Sequence, residues 1–257
     1  MRYVPSMVAP DLASDLVTGW TADVPGTSTV VPDGCVDVLW ISTGAIRVCG
    51  PETSAWSFAF PAGTEAVGVR FRAGRAGSVL GFDAAEVLNK RVSLDDVLGS
   101  RVQRLLSDRI GDAEDQASRL RVLQDQARNW IEVAAPEDSA AETVRRLLVR
   151  DSRTTVAEMA GATGLGVRQL NRRCMRAFGY GPATLRKILR LQRFLHMARH
   201  PGAPIDLATL AVAAGYTDQS HLSRLPGARR PQPGRARRPL KSDPYATGGF
   251  SRSRLWA

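Results

Sequence analysis

One stretch of the sequence, Val156–Gly179, constrains the fold more than any other, because its apolar residues keep a helical period on both sides of a glycine. The apolar positions are Val156, Met159, Ala160, Val167, Leu170 and Cys174. Their spacing is typical of amphipathic helices that bury one face. Gly164 lies between the two halves, where a tight turn requires a positive φ. The stretch is therefore predicted to form two short helices joined by a turn, a helix-turn-helix.

The second predicted helix carries a basic and polar face opposite its apolar face. The residues of that face are Arg168, Asn171, Arg172 and Arg176. Arginine and asparagine can form paired hydrogen bonds with guanine and adenine edges in the major groove of DNA, so this helix is chemically suited to reading bases. On an isolated helix the same composition also fits a solvated basic face.

The pattern recurs farther along the chain, in Leu207–Arg224. At an offset of 51, the positions Ala157, Ala160, Ala162 and Gly164 correspond to Ala208, Ala211, Ala213 and Gly215. Between the copies, Gly181–Arg199 is rich in leucine and opens with Pro182 at a first-turn position, which predicts a connecting helix. About 18 residues at roughly 1.5 Å each give a rod of about 27 Å, which suits two reading helices about one DNA turn, or ~34 Å, apart.

Ala140–Arg224 resembles the DNA-binding domain of the AraC/XylS-type transcriptional regulators, which contains two helix-turn-helix units joined by a long helix. The resemblance is carried by the double motif and by the segments FGYGP (178–182) and AAGYTDQSHLSR (213–224). It implies base-reading positions at Arg168, Asn171 and Arg172 in the first unit and at Gln219, Ser220, His221 and Arg224 in the second. The implied partner is double-stranded DNA, and contact with RNA polymerase and formation of a homodimer are left open.

The front of the chain is similar to an uncharacterised domain that precedes this module in some such regulators. The similarity lies in PDGCVDVLW (32–40), CGP (49–51) and GVRFRAG (68–74). The resemblance implies an effector-binding or dimerisation domain, and we nominate Asp37, Trp40 and Arg70 as residues of an effector pocket. All three histidines lie in the back half, so the front domain lacks the imidazole cluster of a cupin-like metal site, and neither a metal nor a cofactor is predicted.

The charge of the chain is divided along its length. Residues 1–138 carry 13 basic and 19 acidic side chains, residues 139–224 carry 14 and 5, and residues 225–257 carry 8 and 1. The net charges are therefore −6, +9 and +7. This division predicts that a polyanion binds the back half. A basic membrane-binding face would give a similar charge but not a double helix-turn-helix.

The sequence predicts an α+β protein: a β-rich domain at 1–110, a helical linker at 111–138, an all-α DNA-binding domain at 139–224 and a basic tail at 225–257. Short apolar runs separated by turns predict strands at Val36–Ile41, Ala45–Val48, Trp56–Phe60 and Ala66–Phe71. Helices are predicted at Ala84–Lys90, Leu94–Leu98, Arg101–Ile110 and Ala113–Ala134, with Ser93 and Asp96 forming a capping box. The apolar positions Leu120, Leu123, Ala127, Trp130 and Ile131 either pack on their own domain or form a dimer contact.

An enzymatic front domain is the alternative from another functional class. A DNA-repair methyl acceptor requires a zinc-bound cluster of thiolates, whereas the front domain contains only Cys35 and Cys49. These two cysteines fit small buried residues better than a reactive site. The sequence also lacks a GxSxG elbow, a Walker loop, an HExxH motif and a GxGxxG motif after a strand. We therefore expect no enzyme, and a non-regulatory DNA-binding protein such as a transposase is the other alternative.

The compartment is predicted from what the sequence lacks. There is no CxxC pair and no even set of cysteines, which favours a reducing setting. The first thirty residues show no signal-peptide pattern, and no run of 18 apolar residues predicts a membrane span. A cytoplasmic location is expected.

The sequence changes character after Arg224. Pro226 and Gly227 interrupt the second reading helix, and the arginine- and proline-rich segment Arg229–Pro239 follows. The chain contains 32 arginines and 3 lysines, as GC-rich coding produces. We hypothesise that residues from Leu225 onward are an out-of-frame or recently replaced tail, with a basic arm that adds nonspecific DNA affinity as the alternative.

Overall fold

The computed structural model describes residues 2–23, 26–42, 44, 46–199 and 207–216. These residues confirm the predicted α+β class, because seven of the strands precede the first α-helix and most of the helices follow the last strand. The strands are β1 (Arg2–Ser6), β2 (Leu16–Asp23), β3 (Gly26–Val30), β4 (Val36–Ile41), β5 (Arg47–Cys49), β6 (Trp56–Phe60), β7 (Glu65–Phe71) and β8 (Arg91–Ser93). The helices are α1 (Ala76–Leu80), α2 (Leu94–Leu98), α3 (Ser100–Gly111), α4 (Gln116–Glu132), α5 (Ser139–Arg150), α6 (Val156–Thr163), α7 (Val167–Phe178), α8 (Pro182–Arg199) and α9 (Leu207–Ala213).

Six strands form one antiparallel sheet in the order β1-β2-β7-β4-β5-β8, and β3 pairs with β6 in a separate two-stranded ribbon. Side chains alternate between the two faces of a strand. On β4, Leu39 and Ile41 pack in the core shared with the ribbon, whereas Val36 and Val38 pack in the core beneath the helices. The sheet therefore separates two apolar cores.

Helix α4 covers one face of the sheet. Its residues Leu120, Leu123, Ala127 and Trp130 are buried in the same core as β4 and β7. The apolar stripe thus packs on its own domain, the first of the two alternatives that the sequence leaves open. We propose that the front domain extends through α4, rather than ending at residue 110 with a separate helical linker.

The predicted helix Ala84–Lys90 is wrong, because only a short 3-10 turn forms at Ala84–Glu86. The residues after it pair instead with the CGP segment: the amide of Gly50 donates to the carbonyl of Lys90, and the amide of Asn89 donates to the carbonyl of Pro51. A Cβ on Gly50 would lie 1.8 Å from the carbonyl oxygen of Val87, so the two backbones meet there closely. Contact with a distant segment therefore overrides the local helical signal.

The predicted capping box at Ser93 is also wrong, although helix α2 begins and ends as expected. The Ser93 hydroxyl donates to Oε1 of Gln103, a residue of α3, at 2.9 Å. The same oxygen accepts the backbone amide of Asp95 at 3.0 Å. Gln103 therefore caps α2 from the neighbouring helix.

Helices α5 to α8 surround a second core, in which Met159, Leu170 and Cys174 are fully buried. Val156 and Leu189 pack at its edge and are only partly buried. Val167 does not continue the apolar stripe: it is 54% exposed, because the first residue of α7 lies beyond the core. Among the described residues no helix has the length and apolar character needed to cross a membrane.

Candidate nucleic-acid interface

Helices α6 and α7 form the helix-turn-helix predicted from the sequence. Thr155 begins α6 with a capping box: its hydroxyl accepts the amide of Glu158 at 3.2 Å, and the Glu158 carboxylate accepts the amide of Thr155 at 2.6 Å. Gly164 ends the helix with a φ of +65°, and the amide of Leu165 donates to the carbonyl of Ala160. This geometry directs the chain into α7 after a three-residue connection, Gly164 to Gly166.

The polar face of α7 is open to solvent. Arg168, Asn171 and Arg172 are exposed and lie within the first half of the helix. The Asn171 side chain lies against the FGYGP turn, since its Oδ1 would be 2.3 Å from a Cβ on Gly181. The N-terminal half of a recognition helix is the part that contacts base edges, so these positions stay our prediction for base reading.

Arg176 differs from the other members of the predicted face. It is exposed, but its Nε lies 3.2 Å from Oδ1 of Asp83 in the front domain. Its neighbour Arg173 pairs with Asp138 at 3.3 Å, at the start of α5. The C-terminal half of α7 therefore faces carboxylates of this chain.

Three arginines lie outside the reading helix, so the sequence predicts that they contact phosphates or solvent, but in the structure they bond to the protein. Arg145 pairs with Glu137 at 3.2 Å. Arg186 and Arg190 donate to the backbone carbonyls of Thr154 and Ser152, at 3.4 and 3.1 Å. Arg186 and Arg190 thus hold the loop before α6 against α8, and Arg145 is bound to the segment before α5.

The first half of the second unit repeats the geometry of the first. In the first unit the backbone amide of Leu165 donates to the carbonyl of Ala160, and in the second the amide of Tyr216 donates to the carbonyl of Ala211. The two hydrogen bonds are related by the same offset of 51 residues. Gly215 has a φ of +96°, as Gly164 has a positive φ. The predicted reading residues of the second unit lie outside the described residues, as does the tail after Arg224: Gln219, Ser220, His221 and Arg224.

The second unit is held by α8 and by the loop before α6. Phe194 of α8 packs edge-on against Tyr216, with ring centroids 6.4 Å apart, and the Arg190 guanidinium lies 5.5 Å from the same ring. The Ser152 hydroxyl donates to the carbonyl of Ala214 at 3.2 Å. The connecting helix therefore contacts both units.

Segments that stand out separately in the sequence meet at the contact between the two domains. A Cβ on Gly34, in the PDGC segment, would lie 3.3 Å from the Tyr180 hydroxyl. A Cβ on Gly179 would lie 2.9 Å from Cγ of Pro51, in the CGP segment. Phe178 similarly lies against Gly74. Each segment marks its own domain in the sequence, and no sequence pattern indicates that the segments pack together.

The front domain contains a cleft between the sheet and the ribbon, with a volume of about 440 Å³. Asp37 and Arg70, two of the three predicted pocket residues, line it. Trp40 does not, because it lies three residues from Asp37 on the same strand and so faces the helices, where the Arg119 guanidinium is 5.2 Å from its ring.

The two front-domain cysteines also line this cleft. Burial raises the pKa of both the Cys35 and the Cys49 thiols, and the carboxylate of Asp37 raises them further. Since the thiolate is the reactive form, these are unreactive, largely buried thiols. Within the described ranges, no three His, Cys, Asp or Glu side chains are grouped so that they could hold a metal ion.

Two family models match the chain. Residues 159–226 match a helix-turn-helix domain, and residues 5–93 match a domain of unknown function, DUF6597. A search of curated proteins gave no match. The fold and these matches define a DNA-binding protein of the helix-turn-helix class. More particularly, residues 159–226 form a helix-turn-helix domain of the AraC type, and the domain in front of it is of uncharacterised type.

Proposed function

We propose that this protein is a sequence-specific transcriptional regulator that places two helix-turn-helix units in successive major grooves of double-stranded DNA. The observation that carries the proposal is the repeated turn: α6 and α9 end in the same hydrogen-bonded geometry, 51 residues apart. Helix α8 lies between them and has 18 residues, about 27 Å at ~1.5 Å per residue. That length suits reading helices spaced by about one turn of DNA.

The distribution of charge supports DNA as the partner. Residues 139–224 carry a net charge of +9, while residues 1–138 carry −6. Neutralising phosphates with lysine and arginine supplies much of the affinity of a protein for DNA. We therefore assign DNA binding to 139–224, with Arg168, Asn171 and Arg172 reading bases. The four predicted residues of the second unit would read the adjacent groove.

We infer that the front domain senses a small molecule rather than performing catalysis. Neither family description names an enzymatic activity. Its cleft reaches the DNA-binding module, because Gln192 and Leu195 of α8 form part of the lining. A ligand in the cleft would therefore contact the helix that joins the two units. The proposal requires neither a homodimer nor RNA polymerase contact for specificity, since both reading units belong to one chain.

Selection of binding sites from random duplex DNA tests this function. The purified full chain is expected to enrich a motif with two conserved parts whose centres lie about 10 base pairs apart. The Arg104→Ala variant, which removes an exposed arginine of α3 in the front domain, should enrich the same motif. Failure to enrich any motif would contradict specific binding. A motif with a single conserved part would mean that only one helix-turn-helix unit reads bases, and α7 would be the helix that does so.

A further inference from the structure

The cleft of the front domain has an aromatic wall. Tyr3 and Trp20 come from the sheet side, and Trp56 and Phe58 come from the ribbon. The Tyr3 and Trp20 rings are 5.6 Å apart, and the Trp56 and Phe58 rings are 5.3 Å apart. Aromatic faces carry negative charge density and attract cations as well as apolar groups.

The charged group in the cleft contains two carboxylates and one arginine. Arg70 donates through Nε and Nη2 to Asp37, at 3.1 and 2.9 Å, and its Nη1 lies 3.1 Å from Oδ2 of Asp33. Trp20 donates its Nε1 to Oδ1 of Asp37 at 2.9 Å. Each nitrogen of the guanidinium is thus engaged by a carboxylate, and the three groups together carry one negative charge.

The rest of the lining leaves that negative charge in place. Glu52 also lines the cleft, and it pairs with Arg91, whose guanidinium lies 3.6 Å over the Trp56 ring. Arg199 lines the cleft as well, but its side chain is exposed, so water and salt screen it. Burial raises the pKa of Asp33, and the nearby charge of Asp37 raises it further, although the Arg70 guanidinium acts in the opposite direction.

We propose that this cleft binds a small organic cation, with an ammonium group against Asp33 and Asp37 and an apolar body against the aromatic wall. An anion is disfavoured because Arg70 already serves two carboxylates, which would repel it. A neutral molecule would fill the volume but would leave the carboxylates uncompensated. The cleft has the size of a small-molecule site, so one compact amine fits it.

The position of α8 makes this ligand a candidate regulator, an extension that rests on the proposed DNA-binding function. Gln192 and Leu195 line the cleft from α8, and Gln192 donates to the carbonyl oxygen of Pro32 at 2.6 Å. Pro32 directly precedes Asp33, the carboxylate that we place against the ammonium group. A cation that draws Asp33 toward itself therefore acts on the loop that holds α8.

Titration calorimetry on the full chain without DNA tests the ligand class. The probes are phenethylammonium, 2-phenylethanol and phenylacetate, which share a phenyl ring and differ in charge. Phenethylammonium should bind at least about tenfold more tightly than the alcohol, and phenylacetate should bind weakest. Equal or tighter binding of the alcohol or the anion overturns the proposal. Absence of binding by phenethylammonium at about 10 mM overturns it too.

Two variants separate the carboxylate contribution from general damage. Asp33→Asn keeps an oxygen that can accept the Cys35 amide but removes the charge, so phenethylammonium binding should weaken by about fivefold or more. Asp37→Asn should weaken the binding of phenethylammonium to a similar degree. This variant replaces Asp33→Asn in the test if Asp33→Asn lowers the melting temperature. Asp125→Asn, in an exposed ion pair on α4, is the matched control and should bind like the parent. Unchanged binding by both cleft variants overturns the proposal.

The calorimetry contains no DNA, so its result is independent of the site selection. Regulation is then measured as DNA affinity with and without phenethylammonium at constant ionic strength. A change of at least about threefold that is lost in Asp33→Asn is expected. An unchanged DNA affinity overturns the regulatory extension alone.

Discussion

Gln192 of the connecting helix donates its side-chain amide to the carbonyl oxygen of Pro32, at 2.6 Å, across the boundary between the two domains. Pro32 begins the PDGC segment that leads into β4, and Gln192 lies in the middle of α8. The front domain therefore holds the helix that connects α7 to α9. This bond joins the PDGC segment directly to α8.

The Tyr180 hydroxyl should contribute little to stability. It is buried against Gly34 and has no hydrogen-bond partner among the described residues. Tyr180→Phe removes a polar atom whose burial is unfavourable, so the free energy of unfolding should be unchanged or rise by up to about 1 kcal/mol. Tyr180→Ala should lower it by about 3–5 kcal/mol because it leaves a cavity between the domains. Urea unfolding measures both, and a loss above about 1.5 kcal/mol for Tyr180→Phe would mean that the hydroxyl has a partner.

Gly164 and Gly179 give a matched pair of substitutions. Both have a positive φ, +65° and +82°, so alanine is strained at either position. A Cβ at Gly164 meets open space, whereas one at Gly179 would lie 3.0 Å from the carbonyl oxygen of Ala84 and 2.9 Å from Pro51. Gly164→Ala should cost about 1 kcal/mol and Gly179→Ala about 2–4 kcal/mol. Equal losses in chemical unfolding would show that Gly179 does not contact the front domain.

Leu170→Ala should abolish DNA binding by unfolding the module. Leu170 is fully buried in the core of α5 to α8, and truncation of such a leucine costs about 2–5 kcal/mol. Val167→Ala is the control on the same helix, because Val167 is 54% exposed and should lose less than about 0.5 kcal/mol. Thermal melts decide between unfolding and lost contacts. If Leu170→Ala loses DNA binding at an unchanged melting temperature, Leu170 is not in the core.

Glu52 should make the protein less stable as the pH rises. Burial raises the pKa of Glu52 to about 7, although its partner Arg91 acts in the opposite direction. Because the unfolded pKa is near 4.5, the folded state binds the proton more tightly. The stabilising contribution of the protonated form is complete below pH 4.5 and disappears as the pH rises through about 7.

The pH dependence is measured as the difference between the parent and Glu52→Gln in urea unfolding. The unfolding free energy of the parent minus that of Glu52→Gln should fall between about pH 4.5 and 7 and stay constant above that range. A rise in this difference over the same range would mean that the ion pair with Arg91 stabilises the charged Glu52 carboxylate by more than burial destabilises it.

The sequence predicts the helix-turn-helix well because its signals are local. Gly164 marks the end of α6, and Pro182 marks the start of α8. The core positions Met159 and Leu170 follow from the helical period in the same way. Each of these signals depends on residues that are close in the chain.

The errors come from contacts between distant residues. The helix expected at Ala84–Lys90 is replaced because Gly50 and Pro51 pair with the backbone of that segment. Arg186 and Arg190 carry the charge expected of phosphate contacts, but backbone carbonyls of the loop before α6 occupy them. Charge and periodicity indicate which side chains are polar, and only the fold shows what those side chains bond to.

Arg172 provides the most direct test of base reading by α7. It is exposed in the first half of the helix, where a bidentate contact with guanine is accessible. Affinities of the parent and of Arg172→Ala are measured for the selected site and for scrambled duplex DNA at one salt concentration. The specific-to-nonspecific ratio should fall by roughly 5- to 150-fold, equivalent to about 1–3 kcal/mol, while Arg104→Ala keeps the parent ratio. An unchanged ratio for Arg172→Ala would contradict the account.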